Sequence, residues 1–279
     1  MSFNIVFFVL FVFSPCPLFA QDFDAAATQM KQGALEEAAG SFSAFVAAHP
    51  NDKHVPEALA LTGRVLDKLQ DALTERYEKK CYWNKGASGS PECMERGAAD
   101  LTARYGVGAF RYSGGTGIAF IEYTGSHYQQ IADRFSKSGF ADEAEFYLLL
   151  RNLKQHPDIV LPRIQAYLKA HRKGDWHRRG LLLWARVNED VVYIWKHWTW
   201  VVFNGSVSDD DLIIKSEPYR RAAMTAYEQL VKEGKESFEG KVAAKELGLM
   251  KSSGSDGMVY GITNDSSPGT WANWGITVP

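Results

Sequence analysis

Large apolar residues recur at one spacing in four stretches of the chain, namely residues 42–49, 128–135, 164–171 and 227–234. Each stretch begins with a large apolar side chain and carries a second one three positions later, which places both on one face of a helix. A small residue follows sixteen positions after each start, inside a second stretch of helical periodicity. These small residues are Ala58, Ala144, Gly180 and Ala243. The pattern predicts four units of helix, short polar loop and helix.

The segments between the paired patterns carry the Pro, Gly, Asn and Asp residues that end one helix and cap the next. They are residues 49–52, 136–139, 172–175 and 234–237. A small residue at a fixed place lets two helix backbones approach closely, so that a bulky neighbour fits between them. Antiparallel helix pairs that stack in this way build an α-solenoid. We therefore expect an all-α fold with the four small residues at close helix crossings.

The first unit carries further residues that resemble the tetratricopeptide repeat, and these are Gly33, Leu35, Ala38, Phe42 and Pro50. Residues 139–144 resemble the opening of a repeat in the tetratricopeptide-like bacterial envelope proteins. That group includes the repeat lipoprotein of the outer-membrane barrel-assembly machine and the periplasmic Tol–Pal coordinator. The resemblance covers residues 22–76 well, 126–190 moderately and 216–251 loosely. It implies a tetratricopeptide-like α-solenoid of antiparallel helix pairs and the role of a scaffold.

The spacing of the units indicates insertions within a helical-repeat domain of residues 21–251. Their starts are 86, 36 and 63 residues apart, and only the second separation is close to the family period of about 34. The first insertion is residues 81–125, and a tryptophan-rich segment at residues 191–207 lies within the third separation, which marks the second insertion. We expect these two segments to depart from the repeat.

The first twenty residues have the features of a secretory signal peptide. An apolar run at residues 5–13 is followed by a Pro-containing break and by Ala20, after which we expect cleavage. An uncleaved membrane anchor is the alternative, although the apolar stretch is short for a span of ~20 residues. Cys16 lies between two prolines, which fits a lipobox poorly. The expected location is therefore periplasmic or secreted.

The first insertion holds the two cysteines that remain after cleavage, Cys81 and Cys93. In an oxidising compartment an even count predicts one disulfide, which would close a Gly/Ser/Pro-rich loop. A two-cysteine metal site and a redox pair are the alternatives. Two aromatic, β-prone runs then flank the Ser-Gly-Gly-Thr-Gly of residues 113–117, which predicts a β-hairpin or a glycine loop.

The tryptophan-rich segment is the most unusual part of the composition. We take Trp195, Trp198 and Trp200 as candidate binding residues, because aromatic side chains anchor protein interfaces and stack on sugars. Three interpretations stay open, namely core packing, a surface for a protein partner and a platform for a glycan. The Gly/Ser-rich tail of residues 252–279 carries Trp271 and Trp274 and has no helical period. It is either disordered or an extended strap laid against the helices.

Composition narrows the function classes further. The 279 residues include 31 Lys+Arg against 33 Asp+Glu, and this near-neutral charge argues against nucleic-acid binding. Apolar residues make up 46% of the chain, enough for a sizeable core. There is no Walker loop, dinucleotide fingerprint, HExxH or paired CxxC. The histidines lack the i,i+4 spacing of helical metal ligands, and the triple aspartate at residues 209–211 is interpreted as a helix N-terminus.

These observations predict a binding protein with no catalytic residues, no cofactor and no metal. The expected function is an exported helical-repeat scaffold or adaptor that binds a protein or peptide partner in a cell-envelope assembly. No nucleic-acid partner is expected, and the chain is not expected to span a membrane once the signal peptide is cleaved. A peptidoglycan-binding module that uses the tryptophan-rich segment is the alternative, and a hydrolase built from dispersed acids and histidines is a third hypothesis.

Overall fold

A computed structural model describes residues 23–83, 91–115, 118–153, 155–197 and 208–252 of the chain. These residues form a mostly helical fold with one two-stranded sheet. The elements are α1 Phe23–Lys31, α2 Leu35–Ala48, α3 Val55–Glu78, a π-helical turn Lys79–Trp83, α4 Pro91–Tyr105, β1 Phe110–Gly115, β2 Ile118–Tyr123, α5 Ser126–Arg134, α6 Ala141–Arg151, α7 Pro157–Ala170, α8 Asp175–His197, α9 Asp209–Gly234 and α10 Phe238–Lys251.

The four predicted helix pairs are confirmed as α2–α3, α5–α6, α7–α8 and α9–α10. Each predicted small residue lies in the second helix of its pair and is buried. Position 180 requires a residue without a side chain, because a Cβ on Gly180 would lie 2.7 Å from Cε1 of Tyr167 on the preceding helix. The N-terminus of α9 also agrees with the interpretation of the sequence. The Ser208 hydroxyl accepts from the Asp211 N–H at the start of α9, as the aspartate-rich segment predicts.

The helices pack mainly against their neighbours along the chain. Contacts run from α1 to α2, from α2 to α3 and from α3 to α5, and then through α6, α7, α8 and α9 to α10. The buried apolar residues form two clusters, and α8 contributes to both of them. The first cluster extends from α1 to α8, and the second joins α8 to α9 and α10. Helix α8 therefore connects the last helix pair to the rest of the stack.

The first insertion folds onto α3 and closes on itself. The predicted disulfide is present between Cys81 of the π-helical turn and Cys93 of α4. The predicted hairpin is also present, with β1 and β2 antiparallel and Phe110 opposite Tyr123. Strand β2 lies against α3, where the Thr74 hydroxyl donates to the carbonyl oxygen of Ile121 at 2.9 Å.

Several predicted features lie outside the described residues. These are the signal peptide of residues 1–20, most of the 252–279 tail, and both Trp198 and Trp200. Trp195 is described, and it is partly buried against the first apolar cluster beside the buried Val191 and Ile194. Among the described helices, none combines the length and apolar character that crossing a membrane requires.

Candidate binding groove

The first helices of two successive pairs, α7 and α9, flank a groove whose floor is α8. We call it the α7–α9 groove. Its volume is about 360 Å³, within the range of about 300–1,000 Å³ that is usual for ligand pockets. It is lined by Gln165 and Leu168 of α7, Leu181 and Trp184 of α8, and Ala222, Thr225, Ala226 and Gln229 of α9.

Helical spacing explains why these residues line one cleft. Gln165 and Leu168 are three positions apart and share a face of α7. Ala222 and Ala226 are four apart on α9, and their small side chains leave the space that a larger residue would fill. The apolar floor between the helices is partly closed by Leu181, which is only 6% exposed. The groove therefore forms where the small residues of α9 face the larger residues of α8, Leu181 and Trp184.

The rim of the α7–α9 groove carries two carboxamide side chains, Gln165 and Gln229. The Gln229 Nε2 donates to the Glu233 Oε1 at 2.8 Å, which orients this amide at the edge. A carboxamide holds both a donor and an acceptor, so it can pair with a peptide group in either sense. The arrangement of apolar floor and amide rim suits an extended polypeptide with an apolar side chain directed into the groove.

A second groove lies between α6 and α7, and its volume is about 480 Å³. At one end the His171 ring lies between two carboxylates of α6. Its Nδ1 is 2.9 Å from the Asp142 Oδ1, and its Nε2 is 2.8 Å from the Glu145 Oε2. The Tyr167 ring lies 4.5 Å from the histidine ring, centroid to centroid. The two carboxylates approach different nitrogens of one ring, so this cluster connects α7 to α6 and does not converge on one ligand position.

The described residues also contain a buried polar cluster between α3, β2, α5 and α6. Arg151 of α6 forms an ion pair with Asp67 of α3 and donates to the Tyr123 carbonyl oxygen at 2.6 Å. The Tyr128 hydroxyl donates to Asp67 at 2.8 Å. Burial raises the pKa of Asp67, and the Arg151 guanidinium opposes that shift. Burial also raises the pKa of the Tyr128 hydroxyl.

His127 of α5 adjoins this cluster and is held by two hydrogen bonds. The Tyr123 hydroxyl lies 2.9 Å from its Nδ1, and the Tyr105 carbonyl oxygen lies 2.9 Å from its Nε2. A carbonyl can only accept, so the neutral ring carries its proton on Nε2 and accepts from Tyr123 at Nδ1. Burial lowers the pKa of His127 to about 4. These buried groups fasten the hairpin to the helices and line neither groove.

The tryptophan that lines the groove is Trp184. It is not one of the three candidate binding residues that the sequence predicts, which are Trp195, Trp198 and Trp200. Trp184 lies on the groove floor, while Trp195 is eleven positions later on α8, about 16 Å further along the axis. At that place the Lys215 ammonium lies 5.1 Å from the centre of the Trp195 ring. Trp184 lies seven positions before the tryptophan-rich segment of residues 191–207 and on the same helix as Trp195. The side of α8 that lines the groove depends on how α9 packs, which the local sequence does not encode.

Sequence reasoning also missed the charged residues buried in the middle of α8. Arg186, Glu189 and Asp190 are almost fully buried, and Glu189 accepts from the Tyr227 hydroxyl of α9 at 2.7 Å. The signal was present, because these charges interrupt an otherwise apolar helix pattern. The hydrogen bond of Glu189 connects α8 to α9.

The described residues contain no group of three or more His, Cys, Asp or Glu side chains placed to hold a metal ion. Comparison with protein-family models, curated proteins and solved structures gives no match for this chain.

Proposed function

We propose that this chain is an exported helical-repeat scaffold, a tetratricopeptide-like solenoid that binds an extended segment of a protein partner in a cell-envelope assembly. The observation that carries the proposal is the α7–α9 groove, an apolar cleft between the first helices of successive pairs. The serial contacts of the helix pairs and the buried small residue in each pair support a repeat architecture.

The chemistry of the groove favours a polypeptide ligand. An apolar side chain of the partner packs on Trp184, Leu168 and Leu181, and burying it contributes ~1.5–3 kcal/mol. The carboxamides of Gln165 and Gln229 pair with peptide groups of the bound segment. One buried anchor surrounded by polar contacts is the usual energetic pattern of a protein interface. The residues that line the groove include no acidic or basic side chain.

The test is photo-crosslinking of the full chain in its native host. A benzoylphenylalanine placed at the exposed position Thr225 should cross-link to one envelope protein, because this residue lines the groove. The same group at Lys245, an exposed residue of α10, is the matched control. Cross-links at both positions to the same set of proteins, or none from Thr225, would remove the proposal.

A charge substitution separates groove binding from other contacts. Thr225→Arg places a long cation over an apolar floor and should reduce binding of the cross-linked partner at least ~10-fold, equivalent to ~1.4 kcal/mol. Ala25→Arg on the exposed face of α1 adds the same charge far along the chain and should leave binding unchanged. Equal binding by both variants would place the partner elsewhere on the molecule.

A further inference from the structure

Helix α10 ends against α9, the helix that forms one wall of the α7–α9 groove. Near the end of α10 the Met250 carbonyl oxygen accepts from the Arg220 guanidinium of α9 at 3.0 Å. Arg220 precedes Ala222, the first groove residue of α9, by two positions. At 1.5 Å of rise per residue, the groove stretch of residues 222–229 lies ~3–14 Å along the axis from Arg220.

The sequence after Ser252 is long enough to reach the groove. Trp271 stands nineteen positions after Ser252. The route half-way round a helix of ~10–12 Å diameter and along the groove stretch is roughly 25–30 Å. A Gly/Ser-rich segment of nineteen residues has a root-mean-square span of ~24 Å and a fully extended length of ~60 Å. The distance therefore requires neither full extension nor compaction of the segment.

The composition of residues 266–279 complements the groove. This stretch contains Trp271 and Trp274 and no charged side chain, so docking buries no charged side chain in an apolar cleft. A tryptophan buries ~150–250 Å² of surface, and the groove offers Trp184 on its floor and Leu168 on its α7 wall as apolar contacts. The rim amides of Gln165 and Gln229 would face the peptide groups between the two tryptophans.

The charged side chains of the tail are opposite in sign to the cations that follow the groove residues, which favours their association. Residues 253–279 carry only two charged side chains, the acidic Asp256 and Asp265. Three cations follow the groove residues along the chain, namely Lys169 on α7, Arg172 in the loop after α7, and Lys232 on α9. An acidic segment that precedes an uncharged, tryptophan-bearing one is attracted to this region without placing a charge in the cleft.

We propose that residues 266–279 occupy the α7–α9 groove of the same chain, with a tryptophan of this segment packed on Trp184. The tail is then an internal ligand that competes with the partner segment. The competition rests on the proposed function, whereas the docking does not. A tethered ligand acts at an effective concentration of the order of millimolar, so it occludes the groove even when its own affinity is modest.

Photo-crosslinking of the full chain tests the docking directly. Benzoylphenylalanine in place of Trp271 should cross-link within one chain to groove residues such as Leu168, Trp184 or Thr225, located by mass spectrometry of the digested monomer. Benzoylphenylalanine in place of Ser255, near the start of the tail, is the control and should not reach these residues. Cross-links from position 271 that fall outside the groove, or form only between chains, would overturn the proposal.

A binding assay with the tail as its own probe tests the competition. A fluorescent synthetic peptide of residues 266–279 should bind the full chain carrying Trp271→Ser and Trp274→Ser at least ~10-fold more tightly than the unaltered chain. Ser266→Ala with Ser267→Ala is the matched control and should bind as the unaltered chain does. Adding Thr225→Arg to the tryptophan variant should abolish the gain.

The outcomes separate this inference from the proposed function. Equal affinity of the peptide for the unaltered and tryptophan variants, or no binding to either, overturns internal docking. If Thr225 still cross-links to an envelope protein in that case, the scaffold function stands without the internal ligand. If the tail docks and no partner cross-links, the docking stands and the scaffold function falls.

Discussion

The buried histidine of α5 has a measurable consequence for stability. Burial lowers the pKa of His127 to about 4, compared with ~6.5 for an unperturbed histidine. Between these values the unfolded chain binds a proton that the native chain does not. The contribution of neutral His127 to the free energy of unfolding is therefore fully present above pH ~6.5. It is lost as the pH falls towards 4, and the total loss is ~3 kcal/mol.

The expected result is a flatter pH profile in the His127→Gln variant. The free energy of unfolding should be measured by urea denaturation between pH 4 and 7.5 for the variant and the unaltered chain. The raised pKa of the neighbouring Asp67 contributes in the opposite direction in both proteins, so the difference between the two profiles isolates the histidine. His49→Gln, at the end of α2, is the control. Parallel profiles for His127→Gln and the unaltered chain would contradict the argument.

Two helical glycines provide a matched test of close helix crossing. A Cβ at Gly180 would lie 2.7 Å from the Tyr167 ring, whereas a Cβ at Gly248 would meet nothing within 4 Å. Gly180→Ala should lower the free energy of unfolding by ~1–3 kcal/mol because the core is overpacked. Gly248→Ala should raise it by ~0.5–1 kcal/mol, because alanine restricts the unfolded chain and favours a helix. Thermal and urea unfolding give both values, and a stabilised Gly180→Ala would show that this crossing has room.

The disulfide is the clearest prediction at the level of elements. It joins the π-helical turn after α3 to α4 across twelve positions, and such a loop contributes ~3 kcal/mol. Replacing Cys81 and Cys93 together by alanine should therefore destabilise the chain by about that amount. Because α4 packs on the hairpin, hydrogen exchange should increase first in α4, β1 and β2. Unchanged exchange there would mean that packing alone holds the insertion.

Whether an element can be predicted from the sequence depends on how far apart along the chain its interacting residues lie. The helix pairs, the hairpin and the disulfide come from local periodicity, turn residues and cysteine count, and all three are present. Helix α4 was not predicted, although its buried Met94, Ala98 and Leu101 follow helical spacing. The Asp67–Arg151 pair joins residues 84 positions apart. No local pattern encodes such a pair, and the same holds for a groove whose walls lie on α7 and α9.

The arrangement of the whole molecule predicts how a local defect spreads. The helices contact mainly their chain neighbours, and the two apolar clusters are connected through α8. In such serial structures stability is approximately a sum of unit and interface terms. A defect in the last pair should therefore loosen that pair before it affects α2 and α3.

Leu230→Ala tests this prediction, because Leu230 is fully buried in the second cluster and its truncation should cost ~2–5 kcal/mol. Hydrogen exchange measured by mass spectrometry should show faster opening of α9 and α10, with α2 and α3 close to their original protection. Leu66→Ala, which removes the same atoms from the first cluster, should show the reverse order. If either substitution raises exchange uniformly along the chain, the helices form one cooperative unit. The clusters would then be strongly coupled through α8, and the buried charges at residues 186–190 would be the first contacts to examine.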